Sequence, residues 1–104
     1  MSYMYIWEYV VTPNRIPDFQ RVYGSDGDWV RLFRSAPGYL RTELYHDCRN
    51  TNRFLTIDHW ESPSSWESFR SRCATEFEQL DARCAELTQQ ETEIGRFESV
   101  TNPG

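Results

Sequence analysis

The nine residues Tyr3 to Val11, Tyr-Met-Tyr-Ile-Trp-Glu-Tyr-Val-Val, limit what this chain can fold into more than any other stretch. They are aromatic or β-branched almost throughout, the composition of a strand, with Glu8 as the lone charge. A strand with one wet face alternates apolar and polar residues. This one is apolar on both parities: Tyr3, Tyr5, Trp7, Tyr9 and Val11 on one side, Met4, Ile6 and Val10 on the other. Such a strand is built to be covered on both faces. A chain of 104 residues is one domain by length, 1–104 with a core over about 3–100. Folding at this size buries only about two-thirds of the unfolded chain's surface. Helices from so short a chain can cover one face of a sheet, and a second copy is the economical cover for the other.

The rest of the chain supplies the other elements. Thr12-Pro13-Asn14 breaks the first strand. Ile16, Phe19, Val22 and Tyr23 then recur at helical spacing up to Gly24. A second short helix has Ser25 or Asp26 as its expected cap, Trp29, Leu32, Phe33 and Ala36 as its inner stripe, and Pro37-Gly38 as its end. Two strands follow, Tyr39 to Cys48 and Arg53 to Trp60, joined by Arg49-Asn50-Thr51-Asn52, a polar connector of turn formers that predicts an antiparallel hairpin. Ser62-Pro63 opens a helix, Ser as cap and Pro at the first position. Its stripe, Trp66, Phe69, Cys73, Phe77, Leu80, Cys84 and Leu87, predicts one helix to about Gln90. Thr92 to Val100 reads as a last strand, with a polar tail after it. The order is β-α-β-β-α-β: an α+β, ferredoxin-like fold with an antiparallel sheet and helices on one face.

Eleven basic residues, all Arg, stand against sixteen acidic ones for a net charge of −5. The arginines are scattered among acids, so no basic stripe forms and nucleic acid is disfavoured as a partner. The β-α-β-β-α-β order is also that of RNA-binding modules. Their third-strand pattern of Gly and aromatics is missing from Asn52-Arg53-Phe54-Leu55-Thr56-Ile57. Cys48, Cys73 and Cys84 make an odd set without metal-ligand spacing, read as reduced thiols. With no cleavable leader and no apolar stretch of membrane-spanning length, the expectation is a soluble, cytoplasmic protein.

Three features together resemble the antibiotic biosynthesis monooxygenase family, whose members form dimeric α/β barrels. They are the opening aromatic strand, Gly38-Tyr39 leading into Thr42-Glu43-Leu44-Tyr45, and Leu55-Thr56-Ile57-Asp58-His59-Trp60-Glu61-Ser62 running into the long helix. The resemblance implies a homodimer and a pocket between sheet and helices. In some members that pocket serves cofactor-free oxidation of phenols or quinols by dioxygen. The deprotonated substrate supplies the electron, and the protein supplies an apolar cavity, a proton acceptor and hydrogen-bond donors. Haem-degrading members use an Asn on the first strand and a His on the second long helix. This chain has no Asn between Tyr3 and Val11 and no His between Pro63 and Glu91. The expectation is therefore no cofactor and no metal.

The candidates for proton transfer are His46, Asp58 and His59. Either histidine has a pKa range suited to the task if it faces the pocket, or it is a bonded surface or interface residue. Asp58, inside a strand, is either functional or tied to an Arg. Glu43 with Arg41 and Glu98 with Arg96 read as structural charge pairs. Tyr5, Trp7 and Trp60 are candidate walls for a flat aromatic ligand, or plain core. Two functions stay open: a monooxygenase acting on an aromatic or quinol-like small molecule, and a non-catalytic dimeric module that binds a small apolar ligand or assists another enzyme.

Overall fold

The computed structural model describes residues 2–100; Met1 and the tail 101–104 lie outside the described residues. Nine elements follow in order: β1 (Tyr3–Val11), a 3-10 turn (Pro13–Arg15), α1 (Ile16–Tyr23), α2 (Asp28–Phe33), β2 (Tyr39–His46), β3 (Arg53–Trp60), α3 (Pro63–Arg72), α4 (Ala74–Cys84) and β4 (Thr88–Glu98). The four strands form one antiparallel sheet in the order β2-β3-β1-β4, so the aromatic strand is internal. Its register sets Tyr5 opposite Asp58 and Trp7 opposite Thr56 on β3, with Arg96 and Glu93 opposite the same two residues on β4.

The two parities of β1 meet different surroundings. Tyr3, Tyr5, Tyr9 and Val11 are buried under the helices, while Met4, Ile6 and Val10 on the other face are half-buried. Aromatic rings knit the covered side together. Phe19 stacks on Tyr23 at 4.3 Å between centroids, Tyr9 packs against both, and Phe33 touches Trp60, Trp66 and Phe69. Such pairs add about 0.5–1.5 kcal/mol each beyond the area they remove from water. The uncovered face carries Leu55 and Ile57 beside the even residues of β1, with Tyr45 and Phe97 each 49% exposed.

Several boundaries differ from the sequence expectation, each for a local reason. β2 stops at His46 because the Asp47 carboxylate accepts hydrogen bonds from the Arg49 and Asn50 amides, turning the chain early. The expected long helix breaks at Cys73, whose φ of −109° and ψ of 28° leave helical geometry. A straight helix from Pro63 to Cys84 would be about 33 Å long, against about 27 Å for an eight-residue strand. The break lets each half follow the sheet beneath it, and the apolar stripe still faces inward. The helix ends at Cys84 rather than near Gln90. Leu87 is buried in the turn that follows, and its carbonyl accepts the Thr12 amide. β4 therefore starts at Thr88, its polar residues tolerated on an edge strand. Ser62 caps α3 as read, accepting the Ser65 amide, but the cap of α2 is Gly27, and Asp26 pairs with Arg34 instead.

Gly38 joins α2 to β2 with φ of +89°, and a Cβ there would lie 2.3 Å from Ser65 Oγ at the start of α3. Gly38→Ala should therefore cost at least about 1–2 kcal/mol from the left-handed backbone alone. Urea unfolding of the two proteins checks this; equal midpoints would show that the junction relaxes freely.

Candidate active site

Between the covered sheet face and the helices lies a cavity of about 600 Å³. Its floor is the inward parity of the sheet: Tyr5, Trp7 and Tyr9 from β1, Thr56 and Asp58 from β3, Thr42 from β2, Glu91 and Arg96 from β4. Trp29 and Phe33 of α2, Trp66 and Arg70 of α3 and Phe77 of α4 close over it. The walls are dominated by flat rings, and Tyr5 meets Trp66 edge-on at 5.2 Å. A volume of this size holds a small polycyclic ligand.

Asp58 is the polar group that stands out. It is only 9% exposed, and its Oδ1 accepts a 2.7 Å hydrogen bond from Thr42 Oγ1. Because the Thr42 hydroxyl has one proton, given to Asp58, the Tyr39 hydroxyl 2.8 Å away donates to Thr42 in turn. No arginine pairs with Asp58 among the described residues, so of the two readings of a carboxylate inside a strand the tie to an Arg is not formed. Loss of water around the carboxylate pushes its pKa up to about 7, and the single Thr42 bond opposes this only in part. Oδ2 makes no hydrogen bond among the described residues, which leaves it for whatever enters the cavity.

Two further polar groups mark the floor. Arg96 donates to the Tyr5 hydroxyl at 3.0 Å and to Glu93 at 3.1 Å, its guanidinium lying 4.4 Å over the Tyr5 ring. Thr56 donates to the Tyr9 hydroxyl at 3.3 Å, and burial drives the Tyr9 phenol far above its ordinary range. At the other end, burial and then the charge of Asp81 raise the pKa of Glu91.

Of the residues singled out in the sequence, Tyr5, Trp7 and Asp58 line the cavity together. His59, the next residue after Asp58 on a strand, points to the opposite face of the sheet, where Nε2 lies 2.5 Å from Glu43 Oε1. His46 lies at the end of β2, stacked on Phe54 at 4.3 Å and bonded to the Thr51 carbonyl. Trp60 is fully buried beside Phe33, Trp66 and Phe69, outside the cavity lining. The expected pairs of Arg41 with Glu43 and Arg96 with Glu98 do not form. Glu43 takes His59 and Tyr45, and Arg96 takes Glu93 and Tyr5. Thr42, Trp66, Arg70 and Arg96 were missed as lining residues. Counting parity from Asp58 across the hairpin reaches Thr42; the others need the sheet order and helix placement.

Among the described residues, no three His, Cys, Asp or Glu side chains gather as a metal ion requires, and no helix is long and apolar enough to cross a membrane. The structure is similar to that of a mutant of SnoaB, a cofactor-independent oxygenase from Streptomyces nogalater, at 15% identity over 98% of this chain and 96% of that one, with a TM-score of 0.79. It is also similar to a proposed antibiotic biosynthesis monooxygenase from Bordetella bronchiseptica, at 19% identity over 96% and 98% of the chains with a TM-score of 0.77. A third solved structure, an antibiotic biosynthesis monooxygenase, matches at 22% identity over 97% and 100% with a TM-score of 0.71. At these identities the likeness is one of fold. No curated protein matches the sequence. The family model described as antibiotic biosynthesis monooxygenase matches residues 27–77, from the cap of α2 into α4.

A carboxyl that folds neutral more readily than charged makes stability depend on pH. The folded pKa of Asp58, about 7, lies above its unfolded value near 4. Its contribution is thus fully present below about pH 4 and is lost as pH rises through 7. Asp58→Asn should remove that decline and be more stable than the parent at pH 8, by up to a few kcal/mol, with the gap closing toward pH 5. Urea unfolding at both pH values reads the difference; parallel losses in the two proteins would mean that Asp58 titrates as an ordinary carboxylate.

Proposed function

The chain belongs to the antibiotic biosynthesis monooxygenase family, and on that premise we propose that it oxidises a flat phenolic or quinol-like molecule with dioxygen, Asp58 taking the proton. The observation that carries this reading is one buried carboxyl with a pKa of about 7, facing an aromatic-walled cavity with one oxygen unbonded. A general base works best when its pKa lies near the operating pH. The open cavity favours a ligand-taking site over a filled core.

The chemistry follows from the groups present. A substrate ring lies among Trp7, Trp66 and Phe77, with its hydroxyl toward Asp58. Asp58 removes the phenolic proton, and the resulting phenolate is electron-rich enough to give one electron to dioxygen. The substrate radical and superoxide combine to form a carbon–oxygen bond, and the protonated Asp58 returns its proton to the peroxide. Loss of the proton from that carbon then breaks the O–O bond, leaving a carbonyl and water. A CH2 of the keto tautomer and one O2 become C=O and H2O, so the substrate supplies all four electrons. Thr42, held by Tyr39, keeps the carboxylate oriented through the cycle.

The same proposal includes a homodimer. Met4, Ile6, Val10, Leu55 and Ile57 form an apolar surface on the sheet face without helices. Most charges set in it have partners within the chain, Arg53 with Glu8 and Asp47 and Glu43 with His59, while Arg41 on the exposed edge strand β2 makes no ion pair among the described residues. A second copy placed face to face would cover this apolar surface, with Arg41 left at its edge.

Oxygen uptake with a panel of anthrones and hydroquinones should exceed the uncatalysed rate, and kcat/KM should rise with pH through about 7 as Asp58 ionises. Asp58→Asn should lower that rate by roughly 10²–10⁴-fold while binding persists. Uptake no faster than background across the panel, with ligand still bound, would favour the non-catalytic binding module. Sedimentation equilibrium should give twice the chain mass, and Ile6→Asp with Ile57→Asp should give a folded monomer; a parent protein that sediments as a monomer would rule out the sheet-to-sheet pairing.

A further inference from the structure

The cavity contains two guanidinium groups in different situations. Arg96 gives its Nε to Glu93 and one Nη2 proton to Tyr5, and its charge is paired with Glu93. Arg70 lines the same cavity from α3 and makes no ion pair or hydrogen bond to the chain among the described residues. It is held nonetheless: Cζ lies 3.9 Å from the centroid of the Phe77 ring, and the residue is half-buried. Stacking on a ring face fixes the guanidinium plane and leaves its in-plane N–H groups pointing outward, a fork suited to a carboxylate. Glu67, one turn back on the helix, does not take it. One turn in the same direction, Trp66 lies at the i−4 position from Arg70 and also lines the cavity, so ring wall and cation sit on one helix face.

We infer that Arg70 anchors an anionic substituent, so that the molecule taken by this cavity is an aromatic acid rather than a neutral ring system. The inference rests on the aromatic-ligand reading above and narrows its substrate class. With Arg96 already paired to Glu93, the acids of the lining, Glu67, Asp81 and Glu91 with Asp58 beneath, would repel such a ligand were Arg70 absent. Arg70 offsets that repulsion and orients the ring from its far end, leaving the reacting hydroxyl to Asp58.

Calorimetric titration at pH 8 with anthracenecarboxylate and the neutral, isosteric anthracenecarboxamide tests this. The parent protein should bind the carboxylate about tenfold or more tighter, the scale of a hydrogen-bonded charge. Arg70→Gln should erase the preference, and Arg70→Lys, which keeps the charge but not the fork, should restore part of it. Equal binding of acid and amide by the parent, or a preference that survives in Arg70→Gln, overturns the assignment while leaving the aromatic cavity intact. Binding of neither probe overturns both it and the aromatic-ligand reading.

Discussion

The odd-numbered side chains of β1 have to lie under the helices, and most of the molecule is arranged to let them. Tyr3, Tyr5, Tyr9 and Val11 are too large and apolar to face water, so the internal position of β1 and the inward stripes of α1 to α4 follow. These rings do not fill the space completely. Tyr5 and Tyr9 are buried at either side of Trp7, which stays partly accessible, and the cavity opens where the helices bridge from one aromatic cluster to the other. The site is thus the part of the core that stiff, flat side chains leave unfilled.

Asp58 depends on that packing in an unusual way. Its partner across the hairpin is Thr42, a hydroxyl that can steady a carboxylate without neutralising it. An arginine in that place would have held the proton off at neutral pH and removed the group from acid–base work. The chain has one arginine next to Thr42, Arg41, and another on the strand of Asp58, Arg53, but strand alternation turns both toward the opposite face. The raised pKa of Asp58 and its unfavourable solvation are one property seen from two sides, and the surrounding aromatic contacts offset the cost.

Much of the fold could be read from local chemistry. Ser62-Pro63 carries its own capping logic, and the double apolar parity of β1 requires an internal strand whatever the tertiary details. The hairpin followed from four turn formers in a row. What escaped was set by contacts distant in sequence. The break at Cys73 answers to the length of the sheet, and the stripe of α3 and α4 gives no sign of it because it continues in phase across the break. At the site, alternation alone says that Asp58 and His59 cannot face one cavity, and burial decided which of them does. Arg96 and Arg70 could not be read as cavity-lining residues because their places depend on which strand borders β1 and on how the helices lie over it.

The distribution of tryptophan has a practical side. Trp7, Trp29 and Trp66 all border the cavity, and only Trp60 is sealed away from it. Ultraviolet emission from this protein therefore comes largely from the walls of one compartment. A conjugated ring system entering there would accept excitation energy from three donors at contact range. The molecule carries a built-in optical gauge of its own occupancy, sensitive to whatever it takes up and needing no attached dye.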